Sequence, residues 1–298
     1  MKEIAFCEFY LTHTCNIACA GCNRFNNLNL KGHDDWAKHR LAYKNFATNV
    51  HVRGFVNVLG GEPLMHPKIN DILTDLRDWY GPEKQIRLIT NGLLIHKVKD
   101  FWKTVCDKRI NLDISIHDKA WRIPIYEKLC QLAGKKLKLR WKLQHESQAA
   151  FVDVDGINHR LCIFERFYTN ILHDPTGKLS PYWSDPDKAF KSCHYHHFTH
   201  GMSTQSPTLF EGKLFKCPLG NSLPNAIRQR NDISYTQEQK DLIDSFHHID
   251  CNDLQDVDDE YFRKFIFDKI PQCALCPESK FDHAIPKQPI SPNIFKST

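Results

Sequence analysis

Three cysteines stand at Cys15, Cys19 and Cys22, a C-x3-C-x2-C spacing. Three thiolates this close along a chain can hold three irons of a four-iron cluster. No fourth cysteine follows nearby, so the fourth iron is left open to a ligand from outside the protein, and an open iron is a place for chemistry. Structural zinc is the other use of such thiolates, although zinc more often takes C-x2-C pairs. A second set, Cys193, Cys217, Cys273 and Cys276, offers four thiolates and therefore a closed site, for a four-iron cluster or for structural zinc. His194, His196, His197 and His200 follow Cys193, and a histidine can stand in for a thiolate there. The five other cysteines, Cys7, Cys106, Cys130, Cys162 and Cys251, read as small buried hydrophobes.

The elements that must position these groups are legible in the first half of the chain. Strand-like runs at Ile4–Thr12, Gly54–Leu59, Gln85–Thr90, Ile110–Ile116 and Leu137–Leu143 alternate with helical runs at Asp34–Thr48, Pro67–Trp79, Lys97–Cys106 and Trp121–Leu132. That order implies a parallel sheet with crossover helices. A sixth unit around Ile157–Leu172 reads as helix. A Pro/Gly/Asp-rich passage, Asp174–Asp187, then divides the chain into expected units of 1–180 and 181–298. In the second unit, Leu209–Cys217 reads as a β-hairpin with a glycine turn and Asp258–Asp268 as a helix.

Alternation assigns side chains to faces. In Leu137–Gln144 every second residue is polar, and Asn111, Asp113, Ser115 and His117 share one face of their strand, opposite Leu112, Ile114 and Ile116. Crossover helices cover the outside of a parallel sheet, so the polar faces are expected to line an interior cavity. Glu8, Arg87, Asp113, Lys138, Arg140 and Lys142 fall on that side, which points to a polar or anionic small-molecule substrate, unless the acids simply pair with two of the cations. His117, Arg140 and Lys142 are the candidate catalytic, substrate-binding or proton-handling residues.

The chain has 298 residues, twelve cysteines and a net charge of +5. It carries no charged-then-apolar leader and no long apolar span, so a reducing, cytoplasmic location without membrane insertion is expected. No Lys/Arg-rich tract indicates nucleic acid, and Trp141 alternates onto the face opposite Lys138, Arg140 and Lys142.

The cysteine loop, placed just after an apolar strand, and the later Gly60-Gly61-Glu62-Pro63 turn together resemble the radical S-adenosylmethionine (SAM) enzymes. The resemblance implies an α/β fold built as a partial (β/α)6 barrel, a [4Fe-4S] cluster on Cys15, Cys19 and Cys22, and SAM chelating the open iron. It further implies that Gly60, Gly61 and Glu62 lie at the SAM amino group, with Asn91 and Ser115 as further cofactor-binding positions. The family usually has an aromatic residue before the third cysteine, where this chain has Gly21. By the same resemblance, a reduced cluster cleaves SAM to a 5′-deoxyadenosyl radical that takes hydrogen from an unactivated carbon.

The hairpin, helix and Cys273-Ala-Leu-Cys276 pair resemble the twitch domain of these enzymes, a shortened SPASM domain, which implies one auxiliary [4Fe-4S] cluster. A radical SAM core with a single closed twitch cluster is similar to the aminocyclitol (2-deoxy-scyllo-inosamine) dehydrogenase type, which oxidises a secondary alcohol. The expected function is therefore an oxidoreductase on a small polar substrate, supplied with electrons by a donor such as flavodoxin or ferredoxin. Peptide or protein modification is the enzymatic alternative, against which stands the near-immediate start of the first strand. A zinc-stabilised binding module is the alternative from another class. Metal analysis after anaerobic reconstitution separates them: two clusters predict a brown protein with about eight irons per chain, whereas a colourless chain with stoichiometric zinc contradicts the cluster reading.

Overall fold

Residues 1–19, 22–144, 147–163, 166–167, 171–173, 179–193, 198–199, 202–203, 207–278 and 285–286 are described by a computed structural model. Four strands, β1 (Cys7–Tyr10), β2 (Val56–Leu59), β3 (Ile86–Thr90) and β4 (Asn111–Ile116), lie parallel and side by side in chain order. Each leads to a helix: α1 (Trp36–Asn49), α2 (Ile69–Tyr80), α3 (Phe101–Asp107) and α4 (Arg122–Leu132). These match the four strand–helix units expected from the sequence. Phe9, Val58, Leu88 and Leu112 stand in register on one sheet face and pack with Tyr43, Phe46, Leu73, Leu76, Val105 and Leu129 of the helices in one core. The polar residues between them point the other way.

The fifth and sixth units differ from the expectation. Leu137–Leu143 does hold a strand, β5 (Leu139–Gln144), but as the outer edge of an antiparallel meander with β6 (Ser147–Val154) and β7 (Ile157–Ile163). It is β7 that pairs parallel with β4, so the segment beginning at Ile157, read as helix, opens as a strand. The physical cause is the Asp155-Gly156 turn, with φ of 52° and 78° at the two residues. Both in the left-handed region, they make the two-residue hairpin that returns the chain antiparallel and leaves no room for a crossover helix.

The second half supplies β8 (Thr208–Phe210) and β9 (Lys213–Phe215), the expected hairpin, closed by Glu211 and Gly212 at φ of 50° and 72°. β8 runs parallel to β1 and so extends the same sheet, and β10 (His248–Asp250) follows beside β9. Among the described residues the sheet has ten strands in the order β10-β9-β8-β1-β2-β3-β4-β7-β6-β5, open at its β10 and β5 edges. Four more helices follow, α5 (Pro186–Ser192), α6 (Leu219–Gln229), α7 (Gln237–Asp244) and α8 (Asp259–Phe267). Asp258 caps α8 at the boundary read from the sequence, accepting from the amides of Glu260 and Tyr261. No described helix is long and apolar enough to cross a membrane.

The strand N-termini are tied together by one buried side chain. Arg77 of α2 donates to the carbonyls of Lys108 at 2.6 Å, Gly81 at 2.6 Å, Lys84 at 2.7 Å and Arg109 at 2.9 Å, just before β3 and β4 begin. Arg77→Met strands those acceptors and is expected to lower unfolding stability by about 2–4 kcal/mol. Because Arg77 lies at the sheet end opposite the cysteine loop, metal loading per folded chain is expected to stay unchanged. Denaturant melts and metal analysis on the same samples check both halves of this prediction.

Candidate functional site

The C-terminal ends of parallel strands form the rim where α/β proteins place ligands, and the Cys15 loop leaves β1 there. Its backbone continues to pair with the chain leaving β2: Leu11 N donates to Leu59 O at 2.7 Å, Gly61 N to Thr12 O at 2.6 Å and Glu62 N to Thr14 O at 2.9 Å. This contact accounts for both glycines. A Cβ on Gly60 would sit 2.7 Å from Thr12 O, and one on Gly61 only 2.3 Å from Thr14 O. The turn thus accommodates the chain's own backbone, and with it the start of the cysteine loop.

Glu62 is fully buried. Its carboxylate accepts from Thr90 Oγ1 at 2.6 Å, Leu64 N at 3.0 Å and Asn91 N at 2.8 Å. Burial pushes it up to about 7 against the pull of those donors. Glu62 therefore joins the ends of β2 and β3. Asn91 passes the link on: its Nδ2 donates to Asn16 Oδ1 at 2.7 Å, and Asn16 follows Cys15 directly. Gly92, at φ 79°, closes the turn by donating to Thr90 Oγ1 at 3.1 Å. Sequence reading found Glu62 and Asn91 but missed Asn16, whose only signal is its place inside the cysteine motif.

The Cys19 and Cys22 thiols lie near enough to Cys15 to act on it electrostatically. Burial pushes the Cys15 thiol well above its ordinary range, and the Glu62 carboxylate and the Cys22 and Cys19 sulfurs push it further. Cys22 contacts Asn26 Oδ1 at 3.7 Å, and Asn26 in turn donates to His13 O at 2.5 Å and Tyr10 Oη at 3.2 Å. A buried Cys15 thiol that disfavours its own ionisation fits a cationic centre, which makes the thiolate form stable. Ala20 and Gly21 lie outside the described residues.

The thiols of the second set lie near enough to influence one another electrostatically. Cys193 caps α5, Cys217 lies between β9 and α6, Cys273 lies within the short turn Pro271–Leu275 after α8, and Cys276 caps that turn. Burial raises the Cys276 thiol well above its ordinary range, and Cys193, Cys217 and Cys273 add to that rise. Lys216, missed in the sequence, brings a cation to this group. Its Nζ donates to Ile266 O at 2.5 Å and Phe265 O at 3.2 Å, burial lowers its pKa, and the thiols of Cys217, Cys273 and Cys193 oppose that shift. Thiols beside a half-buried cation suit a net-anionic metal–thiolate centre. Among the described residues, no three His, Cys, Asp or Glu side chains converge closely enough to hold a single metal ion. His194, His196, His197 and His200 lie outside the described residues. Of the leftover cysteines, Cys7, Cys162 and Cys251 are buried as expected, and Cys106 and Cys130 are half-buried.

Below the rim, register places Glu8, Asn57, Arg87, Asp113 and Arg160 on one polar face. Its two acids are paired, with arginines the sequence reading did not select. Glu8 pairs with Arg24, and Asp113 accepts from Arg160 Nε at 2.9 Å and from Nη2. Arg160 was missed because its strand was read as helix. Arg87 lies 3.5 Å over the Phe55 ring and donates to Gln85 Oε1 at 3.0 Å. Asn57 Oδ1 is buried with no hydrogen-bond partner. Ser115 is buried beside this group, and His117 is half-buried just past β4. Lys138 and Arg140 are exposed, Arg140 donating to Asn158 Oδ1 at 3.1 Å, and the Lys142 side chain lies outside the described residues. The structure therefore brings Glu62, Asn91 and the cysteine loop to one rim, with Ser115 on the polar face below it. Lys138 and Arg140, expected to line the interior, are exposed instead, because β5 is the edge of the sheet.

No protein-family model matches the chain. It is 27% identical over 118 residues to GTP 3′,8-cyclase of Moorella thermoacetica, a match covering 38% of this chain and 35% of that protein. The chain thus spans about a third of the length of this curated relative. Among solved structures it is similar to BtrN in complex with AdoMet and 2-DOIA, at 14% identity and a TM-score of 0.48, over 96% of this chain and 100% of that one. Streptococcus suis SuiB bound to precursor peptide SuiA is similar over 45% of this chain and 30% of that one, at 18% identity and a TM-score of 0.36.

Gly61→Ala tests the link between turn and loop. The added methyl group must displace Thr14, so the variant is expected to fold, by far-UV circular dichroism, while losing the iron of the first site, about four per chain. Unchanged iron would show that the loop does not depend on this contact.

Proposed function

We propose that the chain is a radical SAM enzyme that binds a [4Fe-4S] cluster and SAM at Cys15, Cys19 and Cys22. In this proposal it holds an auxiliary [4Fe-4S] cluster at Cys193, Cys217, Cys273 and Cys276, and oxidises a small polar substrate. The cysteine motif and the match to the cyclase support the superfamily assignment. The observation that carries the reading is the chain of contacts from Glu62 through Asn91 to Asn16, which holds the three-cysteine loop over the C-terminal ends of the parallel strands. When bound, the cluster and SAM supply one-electron cleavage of SAM and removal of a hydrogen atom from an unactivated carbon.

The chain's own residues bind and orient. Gly60 and Gly61 let the loop lie flat against the turn, and Glu62 positions it from below, its carboxylate engaged by Thr90, Asn91 and Leu64. Ser115, in register with Cys162 on the polar face, is the proposed ribose contact. The Asp113–Arg160 pair and Asn57 offer fixed donors and an acceptor to a polar substrate, and His117 at the rim is the proposed proton-handling group. The closed four-thiol set favours a net oxidation over a redox-neutral rearrangement, because an alcohol becoming a ketone must give up a second electron. A flavodoxin- or ferredoxin-type donor completes the proposal.

Anaerobic assay of SAM with reductant tests it. Wild type is expected to form 5′-deoxyadenosine, and Cys15→Ala/Cys19→Ala/Cys22→Ala is expected to form none. A full set of alanines at Cys193, Cys217, Cys273 and Cys276 is expected to retain SAM cleavage while losing oxidised product. Cleavage surviving the first triple substitution would contradict the assignment of the site.

A further inference from the structure

The two cysteine sites meet through one short segment. Phe25 and Leu30, just beyond Cys22, share a buried apolar cluster with Leu219, Leu223 and Leu275, and Cys217 and Cys276 pack against it. Polar contacts lock the same segment to the second half of the chain. Lys31 N donates to Gln229 Oε1 at 2.8 Å, Gln229 Nε2 returns a bond to Lys31 O at 2.8 Å, and Arg230 Nη1 donates to Leu28 O at 3.1 Å.

Arg24 heads this segment, two residues after Cys22, and is only 5% exposed. Its guanidinium is ion-paired with Glu8 of β1 and lies 5.6 Å from the centre of the Tyr10 ring. Glu8 also accepts from Thr208 Oγ1 at 3.3 Å, and Thr208 opens β8, the strand whose hairpin delivers Cys217. Asn26 holds Tyr10 and touches the Cys22 thiol. A single buried cation thus stands between a residue chain leading to the first site and a strand leading to the second. Buried charges need such anchoring, and a charge held in a dry interior acts on its neighbours strongly.

We propose that Arg24 is a positioning residue shared by both sites, anchored through Glu8 so that its charge raises the reduction potential of the centre at Cys193, Cys217, Cys273 and Cys276. This rests on reading those four cysteines as holding a cluster. The direction follows from electrostatics, since a fixed positive charge favours the more negative, reduced state of a nearby redox centre. Register and packing place Arg24 near that centre: Thr208, bonded to Glu8, stands opposite Phe215, two residues before Cys217, and Phe25, next to Arg24, lies in the apolar cluster against which Cys217 packs.

The test is an EPR-monitored redox titration of the reconstituted full-length chain. The auxiliary transition is assigned from the Cys15→Ala/Cys19→Ala/Cys22→Ala variant, which retains only that centre. Arg24→Met is expected to lower the reduced-to-oxidised ratio at a fixed potential about tenfold, a shift of about 59 mV for one electron, and Arg24→Lys to restore most of it. Glu8→Gln keeps a hydrogen-bonding partner but removes the countercharge, so it is expected to shift the same transition upward, and it decides the matter if Arg24→Met does not load. An auxiliary transition unmoved in loaded Arg24→Met, or a downward shift in Glu8→Gln, overturns the proposal. Absence of any auxiliary iron in the wild type overturns the underlying cluster reading instead, and the proposal with it.

Discussion

The rim of this protein depends on a place where backbone lies against backbone with no space for a side chain. Thr12–Thr14 rests on Gly60-Gly61, and the Thr14 carbonyl occupies the space a Cβ on Gly61 would need. That approach fixes where the cysteine loop starts. Glu62 then holds the arrangement from below. A carboxylate with no exposure is unfavourable in itself, as its rise to about 7 shows, and it is tolerated because three donors from two strand ends converge on it. The same group that would destabilise an unsatisfied interior is what sets β2, β3 and, through Asn91 and Asn16, the cysteine loop at fixed spacing.

Stability and chemistry are separated along the strand axis. Arg77 gathers backbone carbonyls at the N-terminal end, far from any proposed ligand, while Glu62 and Asn91 gather donors at the C-terminal end. The sheet also carries the second half of the chain, since β8 adds to β1 in parallel and places Thr208 beside Glu8. The hairpin that leads to Cys217 is therefore continuous with the core sheet. The interior polar face is largely self-compensated, with Glu8–Arg24 and Asp113–Arg160 pairs where a surplus of cations had been expected.

The four strand–helix units were legible because strand-like and helical runs alternate along the chain, most clearly at α2, where Ile69, Ile72, Leu73 and Leu76 recur at helical spacing. The Leu209–Cys217 hairpin was legible from its glycine. The β6–β7 hairpin was not, although Asp155-Gly156 is a strong two-residue turn signal, because an expected sixth crossover helix took precedence over local turn chemistry. Misreading β7 as helix also hid Arg160. The charge pairs were hidden for another reason: Arg24 reaches Glu8 across sixteen residues through the fold of the cysteine loop, a contact no periodicity predicts. The cysteines themselves were the clearest signal, since their types and spacing specify chemistry before any fold is known.

The central claim is that the loop at Cys15, Cys19 and Cys22 holds a cluster with one iron free for SAM. Mössbauer spectroscopy of the ⁵⁷Fe-reconstituted chain, recorded with and without SAM, tests it most directly. The account predicts that one iron of the first cluster changes its isomer shift when SAM is added, while the irons of the auxiliary centre do not. Spectra that are identical with and without SAM, in a chain whose first site is filled, would contradict it.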